Sequence, residues 1–263
     1  MRKTLHLKAN NTLHITLNKN ALRIIRRGGP SQWIPLTQVR QIILHGPVKM
    51  NASIFYHCLT EGIPIVCLSH KKQQKGFMIP AQLTNQHDQF SDKLDYVLND
   101  WHTYDVLNNW LSCKASHYWQ KALKHYLNRS ENYRFQVAKS FLEYTMDQEE
   151  KKLGSSQKTR CIFQALVKGD IIQQLKKDIP SHKLMQSIYH ELMTNLSELV
   201  FILTIPCYLQ AIKHFANTPY EDTEMPLLSC FTQYEAQIQS RCIYVMHQLN
   251  CYIDEVINEP TYF

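Results

Sequence analysis

Glu143, His182 and Glu198, with His190 as a substitute for the histidine, form the best set this 263-residue chain offers for holding a divalent ion. Carboxylate oxygens and an imidazole nitrogen are donor types that such an ion accepts. A plainer reading competes and is preferred. Glu198 is then a solvent-facing acid in the N-terminal half of a helix, and His182, two residues after Pro180, belongs to a helix-start turn. Other reactive patterns fail on spacing. His190–Glu191 lacks the second histidine of a metalloprotease helix. No glycine-rich phosphate loop occurs, and "RRGGP" (Arg26–Pro30) reads as a basic turn. The serines and cysteines have no nucleophile context. No catalytic residue is assigned and no cofactor is expected.

Binding chemistry is better signalled than catalysis. Residues 1–80 hold twelve Lys/Arg against one acid, Glu61, whereas residues 81–263 hold 17 bases and 21 acids. The two parts carry about +11 and −4 within a formal net charge of +7. Such a split points to a polyanionic or acidic partner for the N-terminal part. Arg23, Arg26, Arg27, Lys71, Lys72 and Lys75 are the candidates for DNA phosphate contacts, because long side chains in or beside turns reach outward. The alternative for each is a solvated base tolerated in a turn.

These residues need elements to hold them, and the punctuation divides the chain. Five of the seven glycines and five of the ten prolines fall in the first 80 residues, and no proline lies between Pro80 and Pro180. Frequent turn residues belong to short strands, their absence to helices. The fold class is therefore α+β. An N-terminal β-sandwich-like domain with one helix covers residues 1–82, and a C-terminal all-α domain covers 86–263, with the boundary near Pro80–Asn85. "TLHITL" and "ALRIIR" alternate as strands around Asn18–Asn20, followed by "WIPL" and "VRQIIL". Asn51 is placed to cap a helix bearing Ile54, Phe55, Cys58 and Leu59 on one face, and Gly62 to end it in a left-handed conformation. "IPIVCL" is an unbroken apolar run, as expected of a strand covered on both faces. Helices are predicted over about 86–98, 103–128, 131–152, 159–178, 182–217 with a bend near Pro206, and 227–257, with "PYEDTEMP" (Pro219–Pro226) as a loop.

The eight cysteines form no C-x-x-C pair, so zinc-ribbon and disulfide-framework classes are excluded and most read as small buried apolar residues. Met1–Lys3 is followed by alternation, and the most apolar segment, Leu199–Pro206, is too short to cross a bilayer. The expectation is a soluble, cytoplasmic protein with no membrane partner.

In order along Leu13–Ala81 come a strand ("ALRII"), an Ile34-Pro35-Leu36 strand, a Gly46-x-Val48 turn and a helix. A Gly62-Ile63-Pro64-Ile65 strand, a serine turn at Ser69, and a Gly76–Pro80 strand after a basic turn complete the series. This order resembles the N-terminal domain of the CRISPR-associated spacer-acquisition integrases, the first-numbered family of CRISPR-associated proteins. In the tail, "WLSCKASHYWQKAL" (Trp110–Leu123) is similar to the family's first long helix, with Lys114 and Gln120 as a shifted version of its lysine–glutamine pattern. The segment from Gln239 to Phe263 is similar to its last helix, with Arg241 and Leu249 in place.

The resemblance implies metal-assisted joining of DNA strands, with a glutamate, a histidine and an aspartate holding Mg2+ or Mn2+. It also implies a homodimer formed partly through the head, and a small ferredoxin-like adaptation partner. The tail departs from each setting in which the family places its ligands. Gly154 and Gly169 are its only glycines, neither follows a glutamate, and none lies beyond 169 where the histidine turn would need one. Arg241 is the only arginine after Arg160 and belongs to the last helix, so the family's Phe-Arg-Pro element is absent. Glu198, eight residues before Pro206, comes nearest to the family's aspartate. The chain also reads as shorter than a full member, as if material were lost from the catalytic stretch. The preferred reading is a DNA-binding, catalytically inactive relative acting as a dimeric structural or accessory subunit. An active endonuclease or integrase with a rebuilt site is one alternative, and a protein-interaction subunit that binds no nucleic acid is another.

Overall fold

Alternation in the N-terminal sequence becomes short strands, and the proline-poor remainder becomes helices. The computed structural model describes residues 3–8, 12–26, 29–68, 74–78, 89–153, 156–216, 231 and 233–258. The boundary expected at Pro80–Asn85 and the loop expected at Pro219–Pro226 lie outside the described residues.

Strands β1 (Lys3–Lys8), β5 (Val39–His45) and β6 (Ile65–Leu68) run parallel, and β7 (Gln74–Met78) pairs antiparallel with β6. A second, antiparallel sheet comprises β2 (Thr12–Asn18), β3 (Ala21–Arg26) and β4 (Gln32–Pro35). β1 is absent from the sequence-based strand list because its six alternating residues have no flanking glycine or proline to mark them. A bridge between Ile15 and Met50 links the second sheet to the segment before helix α1 (Ala52–Thr60).

Helix α1 supplies the crossover between parallel strands β5 and β6. Its end is a Schellman turn: the Gly62 N–H donates to the Leu59 carbonyl at 3.1 Å, and the Ile63 N–H to the Cys58 carbonyl at 2.8 Å. Gly62 has φ +74°, where a Cβ would be strained, and this is the role expected of it. Asn51 occupies the cap position but its side chain makes no capping bond; its carbonyl accepts from the Ile54 N–H instead. Ile54 and Cys58 are buried, whereas Phe55 and Leu59 are half-buried, so the apolar face is narrower than the sequence suggests.

The unbroken apolar run of β6 has a direct structural cause. Ile65 faces the head's core with Ile42 and Leu44, while Val66 and Leu68 enter the helical core with Ile43. Successive strand residues point to opposite faces, so the β5–β6 pair is the wall shared by two cores.

The tail contains α2 (Gln89–Asn99), α3 (Trp101–Leu127), α4 (Phe135–Lys152), α5 (Ser156–Asp178), the one-turn α6 (Ser181–Leu184), α7 (Ser187–Ala216) and α8 (Glu235–Asn258). Asp100 caps α3, accepting from the Thr103 N–H at 3.0 Å. The helix expected over 182–217 is split. Lys183 reaches Asp95, and Ser91 at 2.9 Å, while the Tyr189 hydroxyl donates to Asp95, so the chain turns here against α2. Helix α7 then runs unbroken through Pro206. It is long and apolar enough to cross a membrane by composition, a longer run than Leu199–Pro206 alone implied. Its most apolar window is 72% buried inside the bundle, which is what an all-round apolar core helix looks like. Cysteines 58 and 242 are buried as expected, but Cys113 and Cys251 are exposed.

Helix α5 joins the tail to the head through polar contacts in a largely apolar seam. Arg40 of β5 is 6% exposed and forms an ion pair with Asp170, with Glu235 of α8 at 3.7 Å. The Gln239 amide, oxygen turned toward Arg40, accepts from its Nε at 3.2 Å. Gln173 donates to the Arg40 carbonyl, and Lys176 to that of Gly62. Arg40 thus belongs to the interior and not to the basic surface its sequence neighbourhood suggests.

Candidate functional site

Two clefts meet at the turn of α7 that carries Asn195 and Glu198. The first, about 330 Å³, lies among α4, α5 and α7, with Trp119 of α3 at its edge. Glu143 and Glu198 both line it, so two of the sequence candidates for a metal come together. His182 does not join them; it is exposed in α6 and outside the lining. His190 is also exposed, one turn before Thr194, and partial burial with nearby Lys168 pushes its imidazole below the ordinary range.

Two cations share this cleft with the carboxylates. Lys168 is 6% exposed, its Nζ 3.4 Å from the Thr194 hydroxyl, and burial lowers its affinity for the proton. Arg160 is held by its own partners: its Nε lies 3.0 Å from Glu150 Oε1, and a terminal nitrogen 2.6 Å from Asp147 Oδ1. Glu150 is nearly inaccessible and also accepts from the Tyr208 hydroxyl. Burial pushes its carboxyl up, and the Tyr208 and Arg160 hydrogen bonds oppose that rise. Sequence reasoning missed Lys168, Arg160 and Glu150. Only their spacing on helical faces could have signalled them, since they carry no motif.

The second cleft, about 360 Å³, lies between α3 and α7 and is lined by Asn108, Ser112, Asn195 and Glu198 among others. It offers neutral amide and hydroxyl oxygens with one carboxylate. A divalent ion that must shed water needs more anionic oxygen than this, and the first cleft sets an ammonium and a guanidinium beside its two acids. Among the described residues, no three His, Cys, Asp or Glu side chains gather in a way that could hold a metal ion. The described side chains of these two clefts therefore do not fit a divalent centre of the kind the resemblance implies.

The head's phosphate candidates are only partly visible. Arg23 is exposed on the three-stranded sheet, its guanidinium carbon 5.5 Å from the centroid of Trp33, which sits opposite it in the strand register and is 48% exposed. Arg26 ends β3 and Lys75 lies in β7, each placed by its backbone alone. Arg27, Lys71 and Lys72 lie outside the described residues. Trp33 is the addition the structure makes, and its pairing with Arg23 follows from a register that the sequence leaves open.

Residues 8–180 match the family model described as "CRISPR associated protein Cas1". No curated protein matches the chain. Among solved structures, a Cas1 protein from Thermotoga maritima superposes with a TM-score of 0.66 at 13% identity, over 97% of each chain. A casposase bound to integration product superposes at 0.63 with 11% identity, over 94% of this chain and 91% of that one. TtCas1 gives 0.57 at 7% identity, over 93% and 97%. These likenesses establish the fold. Coverage of 97% of the Thermotoga chain also corrects the expectation of a chain shortened in its catalytic stretch.

Proposed function

We propose, from the premise that the chain belongs to the Cas1 family of CRISPR-associated proteins, that this integrase-like adaptation protein binds DNA without joining it. One observation carries the reading: among the described residues lining the α3–α7 cleft, Glu198 is the one carboxylate, beside Asn108, Ser112 and Asn195. Strand transfer through a divalent ion needs clustered anionic ligands to hold that ion against the phosphate. Binding needs only positive charge that reaches the backbone, and the head retains that. The casposase of the same fold was captured on an integration product, which supports DNA as the partner here. A homodimer built partly through the head, and a small ferredoxin-like partner, complete the proposal for a cytoplasmic accessory subunit.

The test is incubation of the full chain with branched and linear DNA plus Mn2+ or Mg2+, beside a binding assay on the same substrates. The expected result is binding that weakens as salt rises, with no cleaved or joined product. A second reading, an active nuclease with a rebuilt site, is favoured by the shared cleft of Glu143 and Glu198. Product that forms with Mn2+ and disappears on Glu143→Ala or Glu198→Ala would establish that reading and overturn the first.

A further inference from the structure

A third cleft, about 460 Å³, opens among α3, α7 and α8 and shares no lining residue with the other two. Its described lining includes Lys121, His125 and Arg241 and no carboxylate. The net negative charge of the tail makes this concentration a local feature and not a consequence of composition. Lys121 and His125 stand one turn apart on α3, facing Gln237 and Arg241, one turn apart on α8. Leu203 and Pro206 of α7 supply apolar surface between them.

None of the three basic side chains forms an ion pair among the described residues. Lys121 Nζ is placed 5.1 Å from the Tyr244 ring centroid, a contact that orients an ammonium without neutralising it. Arg241 lies near enough to Cys207 to oppose the rise that burial imposes on the thiol. The basic row continues along α3 to Lys114, whose Nζ donates to Gln248 Oε1 at 3.0 Å. Positive charges lining one cleft, with no carboxylate among its described residues, repel one another, and an anion entering between them relieves that repulsion.

We propose that this cleft binds phosphate groups. The Arg241 guanidinium supplies the two-pronged donor that matches phosphate oxygens, and Lys121 and His125 close on the anion from the opposite helix. The volume lies within the roughly 300–1,000 Å³ of small-ligand sites. The phosphate comes either from a nucleic-acid strand crossing the α3–α8 seam or from a free phosphorylated molecule. Neither source requires a metal or either Glu198 cleft.

The test uses the full chain and two probes: inorganic pyrophosphate by calorimetry, and a fluorescein-labelled oligothymidine by anisotropy. Wild type is compared with Lys121→Gln/Arg241→Gln and with Lys139→Gln, an exposed lysine on α4, with thermal unfolding as the check on folding. The double variant is expected to bind pyrophosphate at least about tenfold more weakly, with the Lys139 variant unchanged. A parallel fall for the oligonucleotide identifies a strand as the source, and retained oligonucleotide binding identifies a free phosphate. Equal affinity of the double variant for both probes, or no binding of either by wild type, overturns the proposal. Arg241→Lys, which keeps the charge and loses the fork, is expected to fall between wild type and the double variant.

Discussion

A Cβ placed on Gly169 of α5 would stand 1.5 Å from Oε1 of Gln41 in β5. The Gln41 amide therefore fills the space that a side chain at position 169 would need. Gln41 cannot easily withdraw, because it is fully buried and its Nε2 donates to the Thr4 hydroxyl at 3.1 Å. In sequence, Gly169 registers only as a tail glycine without a preceding glutamate. In the fold it leaves room for the buried Gln41 amide where α5 meets β5.

Gly169→Ala is accordingly expected to destabilise the protein, by about 1–3 kcal/mol from overpacking. An interior helical Gly→Ala change ordinarily gains about 1 kcal/mol, so the sign itself is diagnostic. Pairing the change with Gln41→Ala should restore much of the loss, which a double-mutant cycle in urea would measure. A single variant more stable than wild type would remove the close-approach argument.

Arg40 binds the same seam electrostatically. It and Asp170 are 6% and 2% exposed, and Glu235 shares the guanidinium. Arg40→Met leaves two buried acids without their cation, and breaking a buried pair from one side loses about 3–5 kcal/mol. Arg40→Met with Asp170→Asn is expected to recover part of that loss, because one stranded charge is removed. Denaturant titrations of the two variants decide the matter. A loss below about 0.5 kcal/mol in Arg40→Met would place the seam's stability in its apolar contacts.

His6 is expected to make the head sensitive to acid. Its Nδ1 lies 3.1 Å from His45 Nε2 across the β1–β5 pair, and burial, then His45, then Lys8 bring its pKa down to about 3. An unfolded chain takes up this proton near pH 6.5, whereas the native state does so only near pH 3. Between those values the unfolded state binds more protons, so stability rises with pH and is progressively lost as pH falls from 6.5 towards 3. At pH 4.5 the single site should account for about 2–3 kcal/mol relative to pH 7. His6→Asn is expected to flatten that part of the stability–pH curve, measured by chemical denaturation. An unchanged curve would assign the acid sensitivity to other groups.

Local signals made much of this fold legible. Gly62 announced the end of α1, and the apolar run of β6 announced cover on both faces, because each signal is confined to a few adjacent residues. Lys3–Lys8 carried no such punctuation, and its partner β5 lies more than thirty residues away in sequence. The candidate site was harder still. Glu143 and Glu198 were legible as acids, but their shared cleft depends on the packing of α4 against α7. Lys168 reads as one of many tail lysines until the bundle buries it. Arg160 likewise has no sequence mark that distinguishes pairing with Glu150 from solvation.

Arg23 offers the most direct check on DNA binding by the head. It is exposed and stands over Trp33 on a sheet whose other face is buried through Ile15, Leu22 and Ile24. A guanidinium that meets a phosphate displaces about one condensed counterion, and this appears in the salt dependence of affinity. Arg23→Gln should therefore weaken DNA binding about equally for all sequences and reduce the log–log salt slope by about 1. Trp33→Ala should give a smaller loss with the slope retained, since it removes the ring that orients Arg23 and leaves the charge. Anisotropy titrations between about 50 and 200 mM salt would resolve both effects. Identical slopes for Arg23→Gln and wild type would exclude Arg23 as a phosphate contact and shift that role to the other basic turns of the head.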